Sequence, residues 1–148
     1  MAESSDQESR CIFCKIVRGE TDTELLYEDQ DYVCFRDIRP DAEHHYQVIP
    51  KTHLPSVKHL DSEHVPVIQK LEEIGKIVLQ ERVPGCDQND ARMGFHWPPF
   101  SSIPHLHMHV LAPVSSMGFI KRNLIFRKDS MAFVSVEWTL NNLKEKKN

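Results

Sequence analysis

The stretch PHLHMHVLAP, residues 104–113, sets His105, His107 and His109 in strict alternation with Leu106, Met108 and Val110, between two prolines. Successive side chains of a β-strand point to opposite faces. The pattern therefore predicts a strand with three imidazoles on one face and an apolar opposite face committed to a core. Three uses compete for such a row of rings. One is a polar surface turned to solvent. Another is a metal site, since imidazoles at i and i+2 can share one ion. The third is covalent catalysis, in which a neutral imidazole attacks an electrophile while its neighbours fix its tautomer and handle protons. Directly upstream, GFHWPPFSSIP at 94–104 supplies another histidine and two hydroxyls, and no Asp or Glu lies in the strand to complete a hydrolytic metal centre. That loop suits a substrate gate better than a metal cage, but spacing alone leaves catalysis and metal binding nearly even.

Outward from this strand the chain reads as one α+β domain. ELLYED and YVCFRDI are strand-like segments joined by the polar turn DQD, which predicts a hairpin, and YQVIP is a third strand stopped by Pro50. Val67, Leu71, Ile74 and Val78 recur at helical spacing, which predicts a long helix over 62–82 with Pro66 in its first turn. RMGFHW is a fourth strand and HLHMHVLA a fifth, after the loop VPGCDQNDA. Val136, Leu140 and Leu143 form a stripe behind Ser135, a suitable N-cap for a C-terminal helix, and KEKK suits a helix C-terminus. CIFCKIVRG predicts one or two helical turns with Ile12, Phe13 and Ile16 pointing inward and Gly19 ending them. Residues 1–9, polar and free of aromatics, read as a disordered tail before a domain over 10–148.

Composition bounds the function. The 148 residues suffice for a single core, and 40% hydrophobic with 27% charged residues is ordinary for a globular protein. A formal net charge of −4 argues against bulk nucleic-acid binding while leaving room for a pocket that takes one nucleotide. No apolar run approaches a membrane span and the N-terminus lacks a secretory layout, so the expectation is a cytoplasmic protein, also nuclear, with no membrane partner. Of the four cysteines, Cys34 in DYVCFRDI reads as a small buried residue, whereas Cys11 and Cys14 form a C-x-x-C, weak evidence for zinc by itself.

HLHMHVLAP fits the alternating His-φ-His-φ-His-φ-φ signature, and the chain resembles the histidine triad superfamily. CIFCKIVRGE, LLYEDQDYVCFRDIRP and HHYQVIPKTHLPSV are similar, in order and spacing, to the N-terminal half of its nucleotide-binding branch. The resemblance covers residues 11–114 and fades over 115–148. The GFH loop is also similar in style to that of the aprataxin branch, which works on adenylated DNA ends.

The resemblance implies a histidine-triad-like fold: an antiparallel meander with one long helix and a C-terminal helix. Relatives pair as two-fold dimers through a continuous sheet, which makes the long helix and the RMGFHW strand the expected contacts of a homodimer or of a larger homo-oligomer. It implies an adenosine 5'-monophosphoramidase acting on AMP–amine conjugates such as AMP-NH2 and AMP-lysine. His107 would be the nucleophile that forms a histidyl-AMP intermediate. His109 would contact the phosphate, His105 would orient the strand, His45 would stand behind the triad, and Ser102 would assist proton transfer to the leaving group. Asp37 matches the acid that binds the ribose hydroxyls. Ile12, Phe13, Ile16, Phe35 and Ile38 match the apolar lining around the base, with His107 and His109 completing the nucleotide site.

No cofactor is expected for catalysis. In members with the CIFC opening, however, two cysteines and two histidines complete a structural zinc site, and the resemblance implies that the matching Cys11, Cys14, His53 and His105 would hold one here. One departure stands out: the common members carry an asparagine and a glycine-rich loop ahead of the triad, whereas here His96 falls at or near that asparagine and Pro98 and Pro99 stiffen the loop. This should change how the leaving group is accommodated. Two other readings compete: a nucleotide-binding scaffold with residual catalysis, and an aprataxin-type hydrolase of adenylated nucleic-acid ends.

Overall fold

The computed structural model describes residues 10–97, 103–118 and 133–146. The predicted disordered tail over 1–9, the two prolines of the loop and Ser102 lie outside the described residues. Within them, β1 (Leu25–Glu28) and β2 (Tyr32–Arg36) form the expected hairpin, and β3 (His44–Pro50) adds to β2. The turn is fixed by Asp29, whose Oδ1 accepts the backbone N–H of Asp31 and of Tyr32, each at 2.8 Å. To this point the sheet is a meander.

The meander then breaks. β4 (Arg92–His96) does not lie beside β3; β5 (Met108–Ala112) inserts between them, and β6 (Phe133–Ser135) pairs with the outer side of β4. The antiparallel order is β1-β2-β3-β5-β4-β6. A strand buried on both faces belongs in the interior of a sheet, and every residue of β5 is buried. The RMGFHW strand is paired on its outer side with β6 along Gly94, Phe95 and His96. Gly94 makes this approach possible: a Cβ there would stand 2.2 Å from the Val134 carbonyl oxygen and 2.9 Å from the Phe133 ring.

The strand around the histidines is shorter than the alternation predicts. Regular pairing starts at Met108, so His105 and His107 precede it in extended, unpaired chain. The alternation of faces persists nonetheless. Leu106, Met108 and Val110 are buried in the main core, joined by Tyr46 and Val48 of β3 and by Phe95 and Val134. That face is covered by the long helix α2 (Val65–Arg82) and by α3 (Val136–Glu145). α2 presents Ile68, Leu71, Ile74, Gly75, Val78 and Leu79 to the sheet, so its stripe begins at Ile68 and leaves Val67 half-buried. Before it, residues 62–64 form a separate single turn rather than the first turn of the helix. α3 starts where expected, the Ser135 side chain accepting the Trp138 N–H at 3.1 Å.

The opposite face of the sheet is left for α1 (Ile12–Val17), whose Phe13 and Ile16 pack with Val33, Phe35 and Ile49. Ile12, expected to point inward, is 44% exposed. Gly19 follows this helix with φ +74°, a conformation glycine adopts at little cost. Cys34 is fully buried, and burial pushes its thiol up to about 12, as suits an inert core residue.

Candidate active site

Register places the polar side chains on the face that carries α1. Gln47 of β3 and Gly94 of β4 both stand opposite His109, and His96 stands opposite Phe133. Residues two apart share a face, so His45, Gln47, His109, His96 and Phe133 form one row across four strands. The four polar members of the row meet a cavity of about 360 Å³ that is also lined by His107, by Asp37 at the end of β2 and by Ile12, Phe13, Ile16 and Phe35. Ile38 borders the same cavity but is 90% exposed, so it is a rim residue and contributes no buried wall.

Hydrogen-bond partners fix the tautomers. A backbone carbonyl can only accept, and the His107 Nδ1 lies 2.7 Å from the carbonyl oxygen of His105. His107 therefore carries its proton on Nδ1 and keeps a lone pair on Nε2. At His45 the reasoning runs the other way. The Asp41 N–H donates to His45 Nδ1 at 3.0 Å, which leaves the proton on Nε2, 2.9 Å from His109 Nδ1. His109 accepts there, and in its neutral form its own proton sits on Nε2. The triad thus presents two unlike groups: a nucleophilic nitrogen on His107 and an N–H donor on His109.

Electrostatics reinforce the neutral state of both rings. Burial is the main cause that lowers the pKa of His107, with a contribution from His96, opposed by the hydrogen bond to the His105 carbonyl and by Asp37. His109, fully enclosed among His107, His96 and His45, is held well below the ordinary imidazole range, again chiefly by burial. Neutral imidazole is the form that can attack an electrophile without a separate base.

Asp37 is held rigidly. Its Oδ1 accepts the Arg39 N–H at 2.8 Å and its Oδ2 accepts the Gln47 amide at 2.6 Å, with His45 Nε2 3.4 Å away. Asp37, His45 and His109 also bring donor atoms within 4.8 Å of one another. Two of these three residues are hydrogen-bonded to each other through His45 Nε2 and His109 Nδ1. Gln47 escaped the sequence reading. In YQVIP it looks like one more strand residue, and only the pairing of β2 with β3 reveals that it buttresses Asp37.

The first triad histidine has a different environment. His105 Nε2 lies 2.9 Å from the Pro50 carbonyl oxygen, so Nε2 carries the proton and the Nδ1 lone pair faces Cys11 Sγ at 3.4 Å and Cys14 Sγ at 3.5 Å. His53 Nδ1 completes the group 3.2 Å from Cys14 Sγ. One donor atom from each of the four residues lies within 4.8 Å of the other three. A tetrahedral zinc with bonds of about 2.0 Å to nitrogen and 2.3 Å to sulfur has ligand–ligand edges of roughly 3.3–3.8 Å. The Cys2His2 donor set and its unprotonated nitrogen fit such an ion. Burial lowers His105 to about 4, which keeps the ring neutral for ligation.

The fold, the His row and the cavity define a histidine triad hydrolase-type domain, and comparison with known proteins agrees. The family model described as scavenger mRNA decapping enzyme C-terminal binding matches residues 10–125. The adenosine 5'-monophosphoramidase HINT3 of Mus musculus is 45% identical over 146 residues, covering 97% of this chain and 87% of that protein. The adenosine 5'-monophosphoramidase HINT3 of Xenopus tropicalis is 47% identical over 134 residues, covering 90% and 86%. Among solved structures, a HIT family hydrolase from Clostridium thermocellum superposes with a TM-score of 0.66 at 26% identity, covering 75% of this chain and 96% of that one. The chain belongs to the histidine triad superfamily, in the group that contains the HINT3 phosphoramidases.

Among the described residues, no helix is long and apolar enough to cross a membrane.

Proposed function

We infer that this chain is an adenosine 5'-monophosphoramidase that hydrolyses the P–N bond of AMP–amine conjugates. The observation that carries the reading is the fixed tautomer of His107. Its Nδ1 is tied to the His105 carbonyl and its Nε2 lone pair is left beside a cavity with a carboxylate at the far end. In the first step a bond forms between His107 Nε2 and the α-phosphorus, the P–N bond breaks, and the amine departs with an added proton. In the second, water forms the new P–O bond and gives up a proton that replaces the one spent on the amine, the Nε2–P bond breaks and AMP leaves. The His109 N–H stabilises charge on the phosphoryl oxygens, and Asp37 receives the ribose hydroxyls. Phe13, Ile16 and Phe35 form the apolar wall for the base, with Ile12 and Ile38 at its mouth. Ser102 belongs to this reading as an aid to leaving-group protonation. The nearness of the HINT3 relatives supports the substrate class.

Cys11, Cys14, His53 and His105 would hold a zinc ion that ties α1 to the strand before the nucleophile. A zinc so placed supplies folding energy and no chemistry at phosphorus. A two-fold homodimer belongs to the same reading. Among the described residues β4 is paired on both sides, and the outer face of α2 is the expected contact that stays available to it.

The test is AMP release from AMP-lysine, wild type against His107→Ala, with AMP affinity measured in parallel by calorimetry. Turnover by the wild type, lost in a variant that still binds AMP, supports the enzyme. Binding without turnover in the wild type would overturn it in favour of a nucleotide-binding scaffold.

A further inference from the structure

Gln47 is 8% exposed and lies at the centre of β3, where it lines the cavity between Phe35 of β2 and His109 of β5. Its amide makes one hydrogen bond, from Nε2 to Asp37 Oδ2 at 2.6 Å. A carboxylate oxygen accepts, so the atom on the Asp37 side is the nitrogen and the carbonyl oxygen Oε1 is on the other. Oε1 is buried without a hydrogen-bond partner, and among the described residues no other buried side-chain nitrogen or oxygen lacks one. An unpaired buried acceptor is a standing cost to the fold. Bracing Asp37 needs the nitrogen alone and leaves that cost unexplained.

The protein supplies no donor to Oε1, so the donor arrives with the ligand. In the nucleotide placed by the phosphoramidase reading, the phosphate oxygens are acceptors and lie towards His107 and His109. The base lies on the apolar wall of Phe13, Ile16 and Phe35. Between them is the ribose, whose two hydroxyls are donors, and their anchor Asp37 is the residue that Gln47 already touches. The terminal torsion of a glutamine is soft. A small turn of the amide therefore brings Oε1 onto a hydroxyl seated at Asp37.

We propose that Gln47 is a specificity-determining residue that reads the sugar. One ribose hydroxyl is held by Asp37 alone, and the other is shared between Asp37 and Gln47 Oε1. The inference rests on the nucleotide placement of the phosphoramidase reading and deepens it: the substrate class is a ribonucleotide conjugate with both hydroxyls unsubstituted. A nucleotide lacking the shared hydroxyl leaves Oε1 unpaired against the bound sugar. Sites built to pair a substrate hydroxyl reject the analogue without it far more strongly than apolar pockets sort substrates by size.

The experiment measures binding of AMP, 2'-deoxy-AMP and 3'-deoxy-AMP by calorimetry to wild type, Gln47→Leu and Gln47→Met. Both variants remove the acceptor and keep an apolar side chain of similar bulk. In the wild type, loss of the shared hydroxyl should weaken binding about tenfold to 100-fold. In both variants the same loss should cost less than about threefold, while the penalty for losing the other hydroxyl stays at its wild-type size. That retained penalty reports that the site is folded and Asp37 in place; should the leucine variant not fold, the methionine variant carries the comparison. Penalties that shrink together for both hydroxyls would make Gln47 a brace acting through Asp37 and overturn the proposal. Penalties unchanged for both would overturn it too. A wild type that binds AMP without hydrolysing AMP-lysine would overturn the phosphoramidase reading and leave the reading of the sugar standing. A wild type that does not bind AMP would overturn both.

Discussion

His45 Nε2 donates to His109 Nδ1 across 2.9 Å, although the two residues are 64 positions apart in the chain. The proton is on that nitrogen because the other, Nδ1, already accepts the Asp41 N–H. One loop amide thereby sets two tautomers in succession and ends with the proton of neutral His109 on Nε2. His45 is a positioning residue that works at one remove.

His45→Phe keeps the ring volume and removes the donor, so His109 loses the bond that holds its tautomer. Removing a direct donor to the transition state costs about 10²–10³-fold; an indirect one should cost about tenfold to 100-fold in kcat. KM should change much less, because the nucleoside contacts stay. His45→Gln, which can still donate, should recover part of the loss. Steady-state kinetics on AMP-lysine check this, and a change confined to KM would contradict it.

Low pH acts on stability through the same buried rings. With the metal removed, burial lowers His105 to about 4, against an ordinary value of 6.5, and lowers His109 as well. The unfolded chain therefore binds these protons first as pH falls. The stabilisation is complete above 6.5 and is lost progressively towards 4; for His105 it amounts to about 3 kcal/mol. Urea unfolding at pH 7.5, 6 and 5 should show a falling midpoint. The pKa of His107 is lowered likewise, so the acid limb of kcat/KM should lie below 6.5. A midpoint that rises on acidification would refute the assignment of these rings as buried and neutral.

Zinc at the Cys2His2 group should stabilise the fold and leave the chemistry alone. An ion present at a hundredfold excess over its Kd adds about 2.7 kcal/mol, which shifts Tm by several degrees. Metal analysis of protein purified without chelator should find close to one zinc per chain, and Cys14→Ser should abolish it. Chelation should lower Tm while kcat on AMP-lysine persists. Loss of turnover at temperatures where the chelated protein remains folded would mean the metal serves catalysis.

Gly94→Ala tests whether β6 belongs on the sheet edge. The new Cβ would collide with the Val134 carbonyl, a backbone atom that cannot rotate away. Overpacking of this kind costs about 1–3 kcal/mol, and here the shortest remedy is for β6 to detach. Hydrogen exchange at residues 133–135 should accelerate selectively while the amides of β3 and β5 stay protected. Unchanged exchange there would show that β6 accommodates the methyl group in place.

How far these features could be read in the sequence follows from the range of the contacts involved. The face of α2, the β1–β2 hairpin and the Ser135 cap are local, and spacing or a single side chain announces each of them. The alternation through 104–113 is local too, and it separates core from site correctly even where strand pairing has stopped. The insertion of β5 between β3 and β4 is set by pairing between distant segments, and nothing in either strand states it. β6 has three residues, too few for a period. Sequence spacing sets His105 beside His107, yet its ring turns to the cysteines because the Pro50 carbonyl and α1 hold it there. Gln47 and the exposure of Ile38 likewise depend on what lies across the sheet or beyond the loop.

The central claim is that His107 is adenylylated during turnover, and intact-protein mass spectrometry after brief mixing with an adenosine phosphoramidate measures it directly. The account predicts a transient gain of one adenylyl group on the wild type, decaying as AMP is released, and no such species on His107→Ala. AMP production undiminished in the alanine variant would contradict it.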